Sequence, residues 1–210
     1  MTVVDQKTDR ERALAPYRFS MFRSVARSRD GAAAIEFALL AIPYFLVIFA
    51  ILETFIAFAA EELVSNAVDT MSRRMRTGQI TYNLGRTTDM SQTQFRQAFC
   101  NEISILISCS TSEAATPSKL YVDVQTFSSF SAIPTIPKVS SDRYADINTA
   151  AFKYTPGGAG TINMLRAYYR WEIITDLVRP YITTIRPSDG SMPTQYLIIA
   201  TSVFQNEQYP

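Results

Sequence analysis

The sequence predicts an α+β protein, in which a long N-terminal transmembrane helix extends into a small exported domain with an antiparallel sheet and a short helix. Between Phe37 and Ala60 the only charge is Glu53, and these roughly 24 residues would form about 36 Å of helix, enough to cross a hydrocarbon core of about 30 Å. A helical apolar pattern continues beyond this run, and alternating segments follow it. A buried helix of a soluble core is the alternative, but such helices are rarely this long and apolar on every face.

Charge around the apolar run predicts its orientation. Between positions 10 and 30, before this run, six arginines are opposed only by Glu11 and Asp30. They are Arg10, Arg12, Arg18, Arg23, Arg27 and Arg29. The positive-inside rule therefore places the N-terminus in the cytoplasm and exports the rest of the chain. A net charge of +1 without a concentrated basic face argues against nucleic-acid binding.

The helix is expected to begin at Ala32 and to continue past the membrane as a stalk, with Pro43 as a possible bend. The apolar positions of the stalk recur at helical spacing, and Gly78 is a plausible stop. They are Leu63, Val64, Ala67, Val68, Met71 and Met75. Three regions follow: a basic leader (1–31), a transmembrane helix (32–60) and an exported domain (61–210) that includes the stalk (61–78).

Beyond the stalk, Ser91 and Gln94 have the form of a capping box that opens a short helix. The serine-rich stretch 108–118 is predicted to be a loop, and the proline- and glycine-containing stretch 128–160 to be mainly a connection. Alternation predicts strands at 119–127 and 165–175, and an apolar run predicts a third at 195–204.

The side chains available for chemistry are few. There is no histidine, which removes the commonest general base and metal ligand, and no catalytic or cofactor motif is visible, so no enzyme, cofactor or metal is predicted. Cys100 and Cys109 would lie in an oxidising compartment, and a disulfide is expected rather than two free thiols. Glu53 is expected near the outer interface, where it either snorkels, the favoured interpretation, or pairs with a neighbouring helix.

The junction between leader and helix carries the strongest motif, Gly31-Ala32-Ala33-Ala34-Ile35-Glu36-Phe37. It resembles the processing site of type IV pilin-like precursors, in the form used by TadE-like pseudopilins of tight-adherence (Flp-type) pilus systems. The tail Phe204-Gln205-Asn206-Glu207 resembles the Phe-x-Asn-Glu ending common in TadE-like proteins. The domain beyond the stalk is too large for a major Flp-type pilin and fits the pseudopilin branch, with a pilin-like fold.

The resemblance implies a non-enzymatic role in pilus assembly at the bacterial inner membrane. A prepilin peptidase would cleave after Gly31, and Ala32 would become the N-terminus. Glu36, followed by Phe37, would pair with the N-terminal ammonium of a subunit, because pairing offsets the cost of each charge in lipid. The implied partners are that peptidase, the major pilin and other pseudopilins, the pilus and secretion machinery, and membrane lipid.

Two other interpretations remain open. In the first, the chain is an uncleaved single-pass membrane protein whose periplasmic domain binds envelope or secretion-system components. In the second, signal peptidase cleaves after the small-x-small sequence Ala57-Phe58-Ala59. The apolar region before that sequence exceeds the usual ~7–15 residues, and Glu53 would lie close to the cut, which disfavours the second.

Overall fold

The computed structural model describes residues 29–187, 189 and 191–209. The leader predicted at 1–31 lies almost wholly outside this part of the chain. The structure divides into two compact units, Met1–Ile48 and Phe49–Pro210, and each is described by itself. The described part of the first unit is helix, and the second unit holds the rest of that helix together with the sheet.

The first element is α1, Arg29–Arg76, with Pro43 in its interior. It begins three residues before the predicted start and ends two residues before Gly78. Gly78 has a φ of +74°, and its N–H donates to the carbonyl oxygen of Met75 at 3.1 Å. A left-handed residue just past a helix end is a usual way to satisfy the last carbonyl groups, so the predicted stop is confirmed.

The sheet contains β1 (Leu120–Phe127), β2 (Tyr154–Thr155), β3 (Ile162–Glu172) and β4 (Gln195–Gln205), in the order β2-β1-β3-β4. The three predicted strands are confirmed and pair antiparallel, with Val122 opposite Ala167 and Ala167 opposite Ala200. The two-residue β2 lies in the predicted connection and pairs parallel to β1. The sheet is therefore mixed, a detail that two residues are too few to signal.

One face of the sheet packs against the stalk part of α1 and against α2, Gln92–Ile103. The predicted stalk positions are buried in this core, except for Leu63, which is partly buried. The capping box that opens α2 is confirmed: Ser91 N–H donates to Gln94 Oε1 at 2.8 Å, and Gln94 N–H donates to Ser91 Oγ at 3.3 Å.

The other face of the sheet is covered by the connection between β1 and β2. Phe152 stacks on Tyr168 with ring centroids 4.8 Å apart. The buried guanidinium of Arg166 donates to the carbonyl oxygen of Pro134 at 3.0 Å, and Arg170 pairs with Asp146 at 2.8 Å. Two turns of 3₁₀ helix, Phe130–Ala132 and Thr149–Ala151, lie in the same stretch. The connection thus acts as a layer of the fold.

The predicted loop 108–118 contains a short helix, α3, Thr111–Ala115. Ser110 caps its start by accepting a hydrogen bond from the N–H of Glu113 at 3.2 Å. At the end of α3, the buried guanidinium of Arg96 donates hydrogen bonds to the carbonyl oxygens of Ala114 and Ala115, at 2.6 and 3.1 Å. The loop prediction was wrong here because the cation that closes this helix comes from α2. A last short helix, α4, spans Arg179–Ile182.

Candidate assembly and anchoring site

The residues of the predicted processing and assembly motif lie on the first turns of α1. Gly31, Ala32, Glu36 and Phe37 are all helical, and the side chains from Ala32 to Leu40 are exposed, Phe37 by 70 %. Glu36 is one turn beyond Ala32, about 6 Å along the helix axis. The motif therefore presents a carboxylate and an aromatic ring on a surface that residues 32–209, as far as the structure describes them, leave uncovered.

The apolar part of α1 faces outward. In the described residues, one helix is long and apolar enough to cross a membrane. Only 6 % of an 18-residue apolar stretch of this helix is buried by the described chain. A core helix of a soluble protein would be mostly covered by its own chain. The exposed apolar side chains include Leu39, Leu40, Ile42, Tyr44, Leu46, Val47, Ile51, Leu52, Phe55 and Phe58. This surface indicates a membrane anchor.

Glu36 and Glu53 differ in how their charge is satisfied. The carboxylate of Glu53 accepts hydrogen bonds from the backbone N–H groups of Ile174 and Thr175, the latter at 2.7 Å. Glu53 therefore neither simply snorkels nor needs a neighbouring helix, and the favoured prediction is corrected. Within the described residues, no ion pair includes Glu36. Glu36 is available to a group from outside the described chain.

A second glutamate of α1 fastens the sheet to the helix. The hydroxyl of Tyr196 on β4 donates to a carboxylate oxygen of Glu61 at 2.6 Å. Burial raises the pKa of Tyr196, and the bond to the Glu61 carboxylate raises it further. The tyrosine therefore keeps its proton throughout the physiological range, and its hydroxyl can donate this bond between stalk and sheet at any pH in that range.

The tail motif holds the end of the stalk. The N–H of Glu207 donates to the carbonyl oxygen of Arg76, the last residue of α1, at 2.9 Å, and Arg76 Nε lies 3.4 Å from the Glu207 carboxylate. Phe204 is buried in the core. A Cβ added to Gly78 would lie 2.7 Å from the ring of Tyr209, so the tail packs on the glycine that ends the helix.

Asn206, between these anchors, holds a glycine-rich turn. Its side-chain amide donates to the carbonyl oxygens of Gly157 and Gly158, both at 2.9 Å. The backbone N–H of Asn206 donates to the carbonyl oxygen of Thr161, also at 2.9 Å. The side chain is buried. The residues that produced the resemblance in the tail are therefore those that close the domain, a role that sequence reasoning did not assign to them.

Cys100 and Cys109 are joined by a disulfide, with Cα atoms 5.3 Å apart. Cys100 is buried on α2, and Cys109 lies in the segment that leads to α3. The bridge closes a loop whose ends are nine residues apart. In the described part of the chain, no group of three or more His, Cys, Asp or Glu side chains converges to hold a metal ion.

Comparison with known proteins found a match to one segment of this chain. The family model described as TadE-like protein matches residues 31–73. The anchor of this chain is TadE-like. The TadE-like segment begins at Gly31 and covers almost all of α1, so the resemblance predicted from the motif is confirmed. No curated protein and no solved structure matches the chain.

The TadE-like match suggests a protein associated with a tight-adherence pilus, and that family is of a structural kind. The match ends within the stalk, before the sheet and before the tail. The partners of Glu53 and the anchoring role of the tail were missed by sequence reasoning. The one available signal was the isolated charge of Glu53 within an apolar run, which marks a position that needs a partner.

Proposed function

We propose that this chain is a membrane-anchored pseudopilin or minor pilin that is needed to assemble a tight-adherence pilus. The TadE-like match over residues 31–73 is the observation that carries the proposal. The arginines before α1 support a cytoplasmic N-terminus and an exported domain in the periplasm. The protein would reside in the bacterial inner membrane and contribute structure, without catalysis.

Processing would create the assembly surface. A prepilin peptidase cleaves after Gly31, Ala32 becomes the new N-terminus, and Glu36 becomes the fifth residue of the mature protein. The Glu36 carboxylate then pairs with the N-terminal ammonium of an adjoining subunit. The contrast with Glu53 supports this role, because Glu53 is satisfied by its own chain while Glu36 forms no ion pair within the described residues.

Lateral packing would supply most of the assembly energy. The uncovered apolar side chains of α1 would exchange lipid for the helices of the major pilin and of other pseudopilins. Lipid is as apolar as these side chains, so association depends on close packing and on the few polar groups. The Glu36–ammonium pair is therefore expected to set the register of neighbouring helices.

Mass spectrometry of the N-terminus tests the processing step. The full chain is expressed in membranes with and without the cognate prepilin peptidase. We expect Ala32 as the first residue only when the peptidase is active. Gly31→Leu is expected to block cleavage, because a side chain now obstructs the scissile bond, whereas Ala34→Leu, three residues further along, is the matched control and should still be cleaved.

An intact leader in the presence of active peptidase would reject processing and favour the alternative, an uncleaved single-pass protein whose periplasmic domain binds envelope or secretion-system components. One observation favours that alternative: Gly31 and Ala32 already lie within α1, so a peptidase must unwind the first turns to reach the bond between them. A new N-terminus at Ala60 would instead identify signal peptidase cleavage and remove the anchor.

A further inference from the structure

The segment between β3 and β4 begins with an unusual exposed surface, residues 173–182, which we call the foot segment. Ile174 is 83 % exposed, Tyr181 86 % and Leu177 48 %. Single exposed apolar residues are ordinary on protein surfaces, but three within so short a segment indicate a surface that meets something apolar.

The foot segment is fixed to α1 at a defined level. The N–H groups of Ile174 and Thr175 donate to the carboxylate of Glu53, the first charge after the uncharged run of the anchor. Close by on the same helix, Phe55 and Phe58 are exposed by 70 % and 59 %. The foot segment therefore lies beside α1 where the apolar run meets its first charge, which is where a bilayer would change from hydrocarbon to headgroups.

Several backbone N–H and C=O groups of the foot segment are hydrogen-bonded within the protein, as they would have to be near lipid. Besides the two N–H groups held by Glu53, the carbonyl oxygens of Ile173 and Ile174 accept bonds from Arg179 Nη2, both at 3.3 Å. The hydroxyl of Thr183 donates to the carbonyl oxygen of Arg179 at 2.6 Å. Unpaired backbone groups are costly near hydrocarbon, and these are paired.

The charges of the foot segment cancel. Arg179 Nη2 lies 2.9 Å from the carboxylate of Asp176, and these are the two charged residues between positions 173 and 182. A surface that bound membranes by electrostatic attraction would carry excess basic charge. Tyr181 is instead of the type enriched at membrane interfaces, where an apolar ring with a polar tip suits the headgroup level.

We propose that the foot segment is a second membrane contact, in which Ile174, Leu177 and Tyr181 enter the interfacial layer of the bilayer that holds α1. The occupant is lipid because Glu53 holds the foot segment at the level of the exposed apolar side chains Phe55 and Phe58 of the same helix. The inference rests on the membrane anchor of the proposed function. Because its own charges cancel, the contact needs no anionic lipid.

Site-directed fluorescence quenching on the full chain in proteoliposomes tests the proposal. Ile174→Cys and Tyr181→Cys are labelled with an environment-sensitive NBD probe without reductant, which leaves the Cys100–Cys109 bridge closed. Leu46→Cys reports on the anchor. Phe130→Cys is the matched control, because Phe130 is an exposed apolar residue just after β1. The end of β1 pairs with the first residue of β3, whereas the foot segment follows the last residue of β3. Quenchers are a nitroxide-labelled lipid and aqueous iodide.

We expect the nitroxide lipid to quench probes at 174 and 181 roughly twofold more than the probe at 130, in zwitterionic vesicles and in vesicles with anionic lipid alike. Iodide should act in the reverse order. Glu53→Ala, which releases the two N–H groups, should reduce lipid quenching at 174 while quenching at 46 persists. The fluorescence of Trp171, the only tryptophan, checks that each variant keeps its fold.

Three results would overturn the inference. Probes at 174 and 181 that respond to iodide like the probe at 130 would place the foot segment in water. Protection from both quenchers would mean that another protein surface covers it. If the probe at 46 also escapes lipid quenching, the anchor fails together with this inference, whereas lipid quenching at 46 alone leaves the anchor standing and rejects only the foot segment.

Discussion

Asn206 donates a hydrogen bond from its side-chain amide to the carbonyl oxygen of Gly157, 2.9 Å away, although 49 residues separate the two. The same amide reaches Gly158 at 2.9 Å and the hydroxyl of Tyr209 at 3.0 Å. One buried side chain therefore joins the tail to the turn before β3. The tail is held by polar bonds as well as by the burial of Phe204.

Asn206→Ala should lower the free energy of unfolding of the domain beyond α1 by about 1–3 kcal/mol, because it removes a buried amide that donates to the carbonyl oxygens of Gly157 and Gly158. In a protein of this size each kcal/mol lowers Tm by about 2–4 °C. Thermal unfolding of the full chain in detergent, followed by Trp171 fluorescence, measures the change. Gln205→Ala is the control, since its exposed side chain should matter by less than about 0.5 kcal/mol. Equal Tm values for the two variants would contradict the role given to Asn206.

Glu36→Ala should leave membrane insertion intact and abolish pilus production or incorporation. The reason is that the N-terminal ammonium of an adjoining subunit loses its partner in lipid, where an unpaired charge is costly. Membrane fractionation measures insertion, and electron microscopy with fractionation of sheared pili measures assembly. Glu62→Ala, an exposed glutamate on the same helix, is the matched control and should assemble normally. Normal piliation by the Glu36 variant would refute the pairing.

The exported protein should show no free thiol until it is reduced, and two afterwards. Reduction should lower the free energy of unfolding by about 2–3 kcal/mol, the amount expected when a loop of this length is no longer closed. Thiol-specific alkylation followed by mass spectrometry counts the thiols, and thermal unfolding with and without reductant gives the stability change. Complete alkylation of Cys100 and Cys109 without reductant would exclude the bridge in the exported protein.

Glu113 should make the domain sensitive to acid. Burial raises the pKa of its carboxyl group, but bonds from the Ser118 hydroxyl and from the backbone N–H groups of Leu120 and Lys119 outweigh burial, so the pKa lies below its ordinary value of 4.5. A carboxylate with a lowered pKa stabilises the fold above its unfolded pKa, and this contribution is lost as pH falls through the folded value.

Glu113→Gln should therefore be less stable than the unsubstituted chain at neutral pH, and the difference should shrink as pH falls from about 4.5 toward the folded pKa. Thermal unfolding across a pH series measures this convergence. Ser112→Ala is the control, because it removes a neighbouring exposed hydroxyl without removing a titratable group, and its effect should not depend on pH. A gap for Glu113→Gln that stays constant down to about pH 2 would contradict the prediction.

The elements that the sequence predicted correctly are those determined by neighbouring residues, such as the start of α2 and the strands β1 and β3. Ser91 and Gln94 satisfy each other's backbone within one turn. The alternation in β1 and β3 arises because one face packs on the apolar core while the other carries polar side chains such as Asp123 and Arg166, so it too can be recognised from neighbouring residues. The predicted β3 extended to Thr175, but the strand ends at Glu172. The N–H groups of Ile174 and Thr175 leave the strand ladder for Glu53, a partner more than a hundred residues away.

Long-range pairings account for the rest of what the sequence did not reveal. In the sequence, Arg166 looks like an ordinary polar residue on the exposed face of a half-buried strand. In the structure it is buried and donates to the carbonyl oxygens of Pro134 and Thr135, more than thirty residues earlier in the chain. For the candidate site, the motif from Gly31 to Phe37 was sufficient to predict the TadE-like match. The distinction between Glu36 and Glu53 required the fold, because both are lone carboxylates in an apolar sequence.

The bond between Glu53 and the foot segment has a consequence for the order of biogenesis. Glu53 leaves the ribosome 121 residues before Ile174, so the apolar part of α1 is made long before the backbone N–H groups that bind this carboxylate. Until then the carboxylate lacks these two donors and depends on other partners such as water. We therefore expect α1 to reach its final position only after Ile174 and Thr175, which follow β3, have been made.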